Sequence, residues 1–360
     1  MKSNPDDPSI RSGLAAEYIR MGRADKVLEV TRGLENDKLN MQPALLELRG
    51  KAQLLSGDST SAANTFEKWT KITPKSAPAH FQYANALANH GDTSRARKAL
   101  EQAIKLEPHY LPARVGEIKM RVQAREMEHA KKALAKLRHD FGDRAEVLGI
   151  EGWFALGIGD FDVAEQRLAD AHKKDPDSEL ILLISRAQLA QKKRDSALKT
   201  MRDWLKDHPD DVGVYLQLAS TNLEMGKEAD ALTAYAQVIR VVPKHVPTLN
   251  NLAWLNRDKA PKKAMEYAQQ AYQLAPRDPY VLDTLGMLTL KNGEANQALS
   301  LLRNAAAGAP ADPQIQLHLG GVLIQQKHTS EAKKTLQSLS QKHPDTPEGK
   351  EARILLNTLP

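Results

Sequence analysis

With 360 residues, 41% of them hydrophobic, 27% charged and 5% aromatic, the chain can hold about two ordinary domains or one repeat array. It has no cysteine, which excludes disulfides, thiolate metal sites and cysteine nucleophiles. The net charge of +6 is mild for this length, and no stretch approaches the roughly 20 apolar residues of a membrane span.

Ala, Leu, Lys, Gln and Glu dominate and β-branched residues are thin, which favours helix over strand. Residues 1–7 are polar and carry no apolar run, which predicts a disordered N-terminal segment without an export signal. From Pro8 onward the chain repeats with a period of 33 to 35 residues, and the clearest unit is 77–110. There Tyr83, Ala84 and Leu87 line one helix face, Gly91-Asp92 makes a turn, Ala96, Leu100 and Ala103 line a second helix, and Pro108 stops it. The same reading divides the chain into units 8–42, 43–76, 77–110, 111–144, 145–177, 178–211, 212–245, 246–278, 279–312 and 313–346. A single helix over 347–360 closes the array, covering the apolar flank of the last unit; a dimer contact is the alternative. Unit 246–278 is one residue short in its turn, where Pro261 can begin the second helix. No linker interrupts the series, so it reads as one continuous domain.

Small residues recur at unit position 8, with Gly50, Gly152, Gly286 and Gly320 among them, and alanine recurs at position 20. Glycine inside a helix costs about 1 kcal/mol against alanine. Its return at one phase predicts helices packed too closely there for a larger side chain. A bulky residue at position 24 (Phe66, Leu100, Leu134, Leu168, Tyr235, Leu302, Leu336) is expected to fill the seam with the next unit. Arg125 and Lys192 stand where the turn glycine belongs, which puts those turns in question, and no proline follows Leu39.

Small residues at 8 and 20, a bulky one at 24 and proline at 32 resemble the tetratricopeptide repeat (TPR). The resemblance covers 8–346 and implies an all-α, right-handed superhelix, an α-solenoid of about ten helix-turn-helix repeats with a C-terminal capping helix. A narrower resemblance rests on PALLELRGKAQLLSGD (43–58), MRDWLKDHPDD (201–211), TLNNLAWL (248–255), MEYAQQAYQLAPRDPYVLDTLGMLTLKNGE (265–294) and IQLHLGGVL (315–323). In this order they are similar to the C-terminal part of the TPR-repeat lipoprotein of the PEP-CTERM/exosortase system. That resemblance implies a periplasmic, outer-membrane-associated protein, lipid-anchored through an N-terminal region outside this chain. It also implies association with exopolysaccharide production and surface-protein sorting. The alternative is a general cytoplasmic TPR adaptor for a peptide.

Catalysis is not expected. The histidines form no HExxH, Gly157-Ile158-Gly159 lies between helices and reads as a repeat turn, and acidic pairs such as Asp210-Asp211 read as helix caps. No cofactor or metal is expected either. By the TPR resemblance, positions 5, 9 and 12 of each first helix face the concave side. Two clusters result: Phe81, Asn85, Lys119, Trp153 and Arg186, and Asn250, Trp254, Arg257 and Met287. Tryptophan beside cations suits an extended protein or peptide partner, and also a sugar or an anionic polymer. Ordinary packing between repeats is the other reading of Trp153 and Trp254, while Trp69 and Trp204 at position 27 read as core. Basic residues at positions 21 and 22 (Arg97-Lys98, Lys131-Lys132, Lys333-Lys334) read as a solvated face diluted by Glu101, Glu128 and Glu331, and no nucleic-acid partner is expected.

Overall fold

A computed structural model describes residues 8–32 and 42–359. Among them are 21 helices and no strand. The expected N-terminal disordered segment (1–7) and the position after Leu39 lie outside the described residues.

The helices alternate first and second through the repeats. They are α1 (Pro8–Arg20) and α2 (Ala24–Val30), α3 (Pro43–Leu55) and α4 (Ser59–Ile72), then α5 (Ala77–His90) and α6 (Thr93–Leu106). The pairs α7 (Leu111–Gln123) and α8 (Met127–Phe141), and α9 (Ala145–Ile158) and α10 (Phe161–Lys174), follow. Next come α11 (Ser178–Ala190) and α12 (Arg194–Asp207), and α13 (Val212–Glu224) and α14 (Glu228–Val241). The last pairs are α15 (Val246–Asn256) and α16 (Pro261–Leu274), α17 (Pro279–Lys291) and α18 (Ala295–Gly308), and α19 (Pro313–Gln325) and α20 (Thr329–Lys342). The unpaired α21 (Pro347–Leu356) ends the array. Contacts group these helices into two compact units, residues up to 159 with 166–175, and 160–165 with 176 onward.

Local chemistry sets the boundaries. Proline occupies the first turn of α3, α5, α7, α15, α17 and α19, all first-position helices, where its missing N–H costs nothing. Aspartate caps several N-termini: Asp58 accepts from the Ser61 amide at 2.9 Å, Asp92 from Arg95 at 3.1 Å and Asp211 from Val214 at 3.1 Å. The turn residue is left-handed at Gly22, Gly57, Gly91, Gly159, Gly226 and Gly293. Arg125, Lys192 and Lys327 take the same conformation, with φ of 60°, 62° and 62°. The two substitutions noted in the sequence therefore leave the turn intact, and Lys327 is a third.

The notch at position 8 is real, and a position-24 side chain fills it. A Cβ on Gly50 would collide with Phe66, one on Gly152 would lie 2.5 Å from Leu168 Cγ, one on Gly286 2.9 Å from Leu302 Cγ, and one on Gly320 would collide with Leu336. Each filler is the position-24 residue of the same repeat, so it locks its own hairpin; members of that row also reach the next element, Leu100 lying beside Gly116, Tyr235 accepting from Asn251 at 3.1 Å and Leu336 packing with Ala352. At Gly152 backbone also crowds the notch, with Leu168 N at 3.1 Å. Every alanine of the position-20 row is fully buried. Where Ile118 replaces the small residue at position 8, it is itself fully buried and Leu134 at position 24 is only half-buried. Trp69 is core as expected. Trp204 is half-buried instead: it stacks on His208 at 3.5 Å, and its Nε1 donates to Asp211 Oδ2 at 2.8 Å, tying the end of α12 to the cap of α13. The helix α21 packs on α19 and α20, where Ala352 and Leu356 meet Leu336 and Leu339.

Candidate functional site

Successive first helices touch one another in the second unit, α15 against α17 and α17 against α19. Side chains at positions 5, 9 and 12 of these helices therefore share one face. The structure builds a polar cluster there around Trp254.

Arg257 lies one turn after Trp254 at the end of the same helix, with its guanidinium carbon 4.4 Å from the indole centroid. Its Nη1 donates to the Trp254 carbonyl at 2.8 Å, which fixes the cation over the ring. From α19, His318 sits 5.6 Å from the same indole at an interplanar angle of 37°. His318 Nδ1 is 2.9 Å from both carboxylate oxygens of Asp283 on α17. Gln314 Nε2 is 2.8 Å from the other ring nitrogen, an arrangement that fits the tautomer with its proton on Nδ1, donating to Asp283. The imidazole and carboxylate side chains are only 11% and 10% exposed, so this polar pair is bonded in a water-poor position. It joins two first helices 35 residues apart in sequence and supports the indole of a third.

The edge of the cluster is charged. Lys291 donates to the Arg257 carbonyl at 2.8 Å and to Asp258 at 2.6 Å. That ammonium hydrogen bond holds the Asp258 carboxyl below its ordinary range. Asn250, one turn before Trp254, is half-buried, and its Oδ1 has no hydrogen-bond partner among the described residues. Met287 is half-buried on the neighbouring helix.

Of the residues expected from the sequence, the structure thus brings Trp254 and Arg257 into contact and adds Asp283, His318 and Gln314. His318 escapes the sequence reading because it stands at position 6, outside the rows at 5, 9 and 12. The available signal is a histidine lying one repeat plus one residue after an aspartate of the position-5 row.

The other expected cluster is looser. Phe81 is half-buried, edge-on to Tyr110 at 5.8 Å, and a Cβ on Gly116 would come 3.2 Å from its ring, so it fills space between α5 and α7. Asn85 is half-buried on α5 and its carbonyl accepts from Asn89 at 2.9 Å. Trp153 packs on Ile118, Leu137, Val147 and Ile150, with exposed Lys119 6.0 Å above its ring. Arg186 is exposed on α11, in the second unit.

The basic rows are partly neutralised. Arg97 pairs with Glu126 at 2.8 Å, Lys131 with Glu128 at 3.2 Å, and Lys193 with Glu165 at 3.0 Å.

Tetratricopeptide-repeat family models match residues 77–110, 155–220, 216–279 and 289–358. The chain belongs to the TPR family, as an all-α solenoid. A TPR repeat-containing protein of Pseudomonas aeruginosa is 28% identical to it over 173 residues, which are 46% of this chain and 28% of that protein. The match thus spans less than a third of the curated relative. Among solved structures, that of an APC/C hetero-tetramer has 13% identity and a TM-score of 0.49, covering 97% of this chain and 83% of the other. MamA from Desulfovibrio magneticus has 17% identity and a TM-score of 0.41 over 47% of this chain and 96% of its own. A thermophilic TPR protein of Thermus thermophilus has 22% identity and a TM-score of 0.37 over 50% and 99%. A TPR array is in general a scaffold for protein partners rather than a catalyst.

Proposed function

We propose that this TPR protein holds an extended segment of a partner protein across α15, α17 and α19, with Trp254 as its anchor. The observation that carries the proposal is the buried Asp283–His318 pair, which holds His318 5.6 Å from the indole while Arg257 lies over the ring. A rigid aromatic fixed beside a cation has the composition of an interaction hot spot. The resemblance of the five stretches quoted above supports the finer reading that the partners belong to an envelope apparatus for exopolysaccharide production and surface-protein sorting.

A photo-crosslinking amino acid at Met287 in the source cells tests this. The expected result is one discrete adduct that Trp254→Ala abolishes and that a probe at exposed Lys334 does not form. Equal labelling at Met287 and Lys334 would remove the site. An adduct recovered from the cytosol rather than the envelope fraction would leave the site standing and refute the envelope assignment.

A further inference from the structure

A second, distinct feature lies on α8, the second helix of unit 111–144. His129, Lys132, Lys136 and His139 are all exposed and follow one another at steps of three or four residues, so they form one stripe along the helix. The stripe is about 15 Å long, ten steps of the helical rise. Exposed Arg125 stands in the turn that precedes it. Acidic residues do little to balance these cations. Glu128 pairs with Lys131 at 3.2 Å. Asp140, whose side chain is only 15% exposed, is bonded to His139 at 3.0 Å and lies 3.7 Å from Arg114. Arg125, Lys132 and Lys136 have no ion pair among the described residues.

Comparison among the repeats shows what is unusual here. In unit 178–211 the residues at positions 22 and 26 are Lys199 and Asp203, which pair at 2.6 Å. In α8 the same positions are Lys132 and Lys136, and like charges one turn apart disfavour the helix that carries them. Cations that weaken their own helix and neutralise nothing within the fold are complementary to something outside it. The face offers charge and hydrogen-bond donors only. No large apolar side chain is exposed on α8, which leaves no anchor for a lipid bilayer. Its one phenyl ring, Phe141, is half-buried and gives nucleobases no platform.

We propose that this face of α8 docks an acidic run of a partner protein, whose aspartate or glutamate carboxylates pair with Lys132, Lys136 and Arg125. Alternate side chains of an extended chain lie about 6.6 Å apart. Lys132 and Lys136 are about 6 Å apart along the helix axis, so one extended chain can place a carboxylate at each. Pairs of ammonium or guanidinium with carboxylate supply charge-assisted hydrogen bonds, and the stripe is narrow enough for a single chain. The site lies in the first compact unit and Trp254 in the second, and neither proposal depends on the other.

Fluorescence anisotropy of a labelled oligo-glutamate peptide with the full chain, at physiological ionic strength, tests the proposal. The peptide should bind saturably, and the Lys132→Gln, Lys136→Gln double variant should bind it about tenfold more weakly. That variant should fold, since both side chains are exposed and their repulsion is removed; circular dichroism checks it. Lys132→Arg with Lys136→Arg should restore binding. Lys333→Gln with Lys334→Gln removes the same charge from α20 and should bind as the unaltered protein does. No saturable binding of the peptide, or equal weakening by the α8 and α20 pairs, would overturn the assignment. So would phosphatidylglycerol vesicles, an oligothymidylate or alginate binding more tightly than the peptide in a manner that the α8 pair abolishes.

Discussion

At Arg125, Lys192 and Lys327 an L-residue with a long side chain holds the left-handed turn that glycine holds elsewhere in the array. For an L-residue this conformation costs roughly 1–2 kcal/mol. Glycine removes that cost but adds flexibility to the unfolded chain, about 0.5–1 kcal/mol against the gain. The balance favours glycine, so Lys192→Gly is expected to raise unfolding stability by up to about 1 kcal/mol, read as a higher denaturant midpoint. Lys193, Gln188 and Gln191 hold Glu165 independently of that side chain, so nothing else is lost. A second residue-scale expectation concerns Arg114, which is 4% exposed and donates to the Pro108 carbonyl at 3.3 Å beside Asp140 and Glu117. Arg114→Ala removes the buried guanidinium beside Asp140 and leaves Glu117 to Arg121 alone, and should cost about 1–3 kcal/mol, measured by chemical denaturation. The arginine is invisible to a reading that seeks apolar residues at buried phases.

At the scale of the element, the notch and its filler decide the sign of a mutation that propensity alone gets wrong. Alanine in place of Gly152 gains about 1 kcal/mol of helix propensity. Its Cβ must then share space with Leu168 Cγ and with backbone, and overpacking of this kind costs about 1–3 kcal/mol. Gly152→Ala is therefore expected to destabilise. Leu168→Ala alone should cost about 2–5 kcal/mol by leaving a cavity. The double variant should cost less than the sum, a coupling that thermal melts of the four proteins would reveal. Helix positions, turn phases and the small-residue rows were all legible in the sequence, because one periodic pattern dictates each of them. That the position-24 side chains also close the notch of their own hairpin was not, since periodicity tells which residue is buried but not every neighbour that covers it. For the same reason Trp254 and Arg257 were readable as neighbours one turn apart, whereas Asp283 and His318 meet across two repeats at different phases.

Over the whole molecule, carboxylates held by cations make stability depend on acidity. Hydrogen bonds from Lys199 and Lys206 hold Asp203 at about 2, and Arg97 and Arg303 hold Glu126 and Glu331 below their ordinary range. Burial pushes Glu165 upward, but Gln188, Lys193 and Gln191 outweigh it and leave it lowered. A carboxyl depressed on folding stabilises the native state above its unfolded pKa, and the contribution disappears as pH falls through the folded value. The melting temperature should therefore be level above about pH 5 and fall between about pH 4 and 2. Circular-dichroism melts across that window check it, and a melting temperature that rises on acidification would contradict it. The length of the array and its closing helix were legible from the period; the grouping of its helices into two compact units was not, because it depends on contacts that no single repeat encodes.

Each glycine notch is matched by a side chain sixteen residues later in its own hairpin. A gene duplication or deletion that respects hairpin borders therefore carries key and keyhole together, whereas a cut through the middle of a pair orphans both. Growth by whole modules needs no compensating substitution at these sites, so an array of this design can change its reach while every internal lock stays closed.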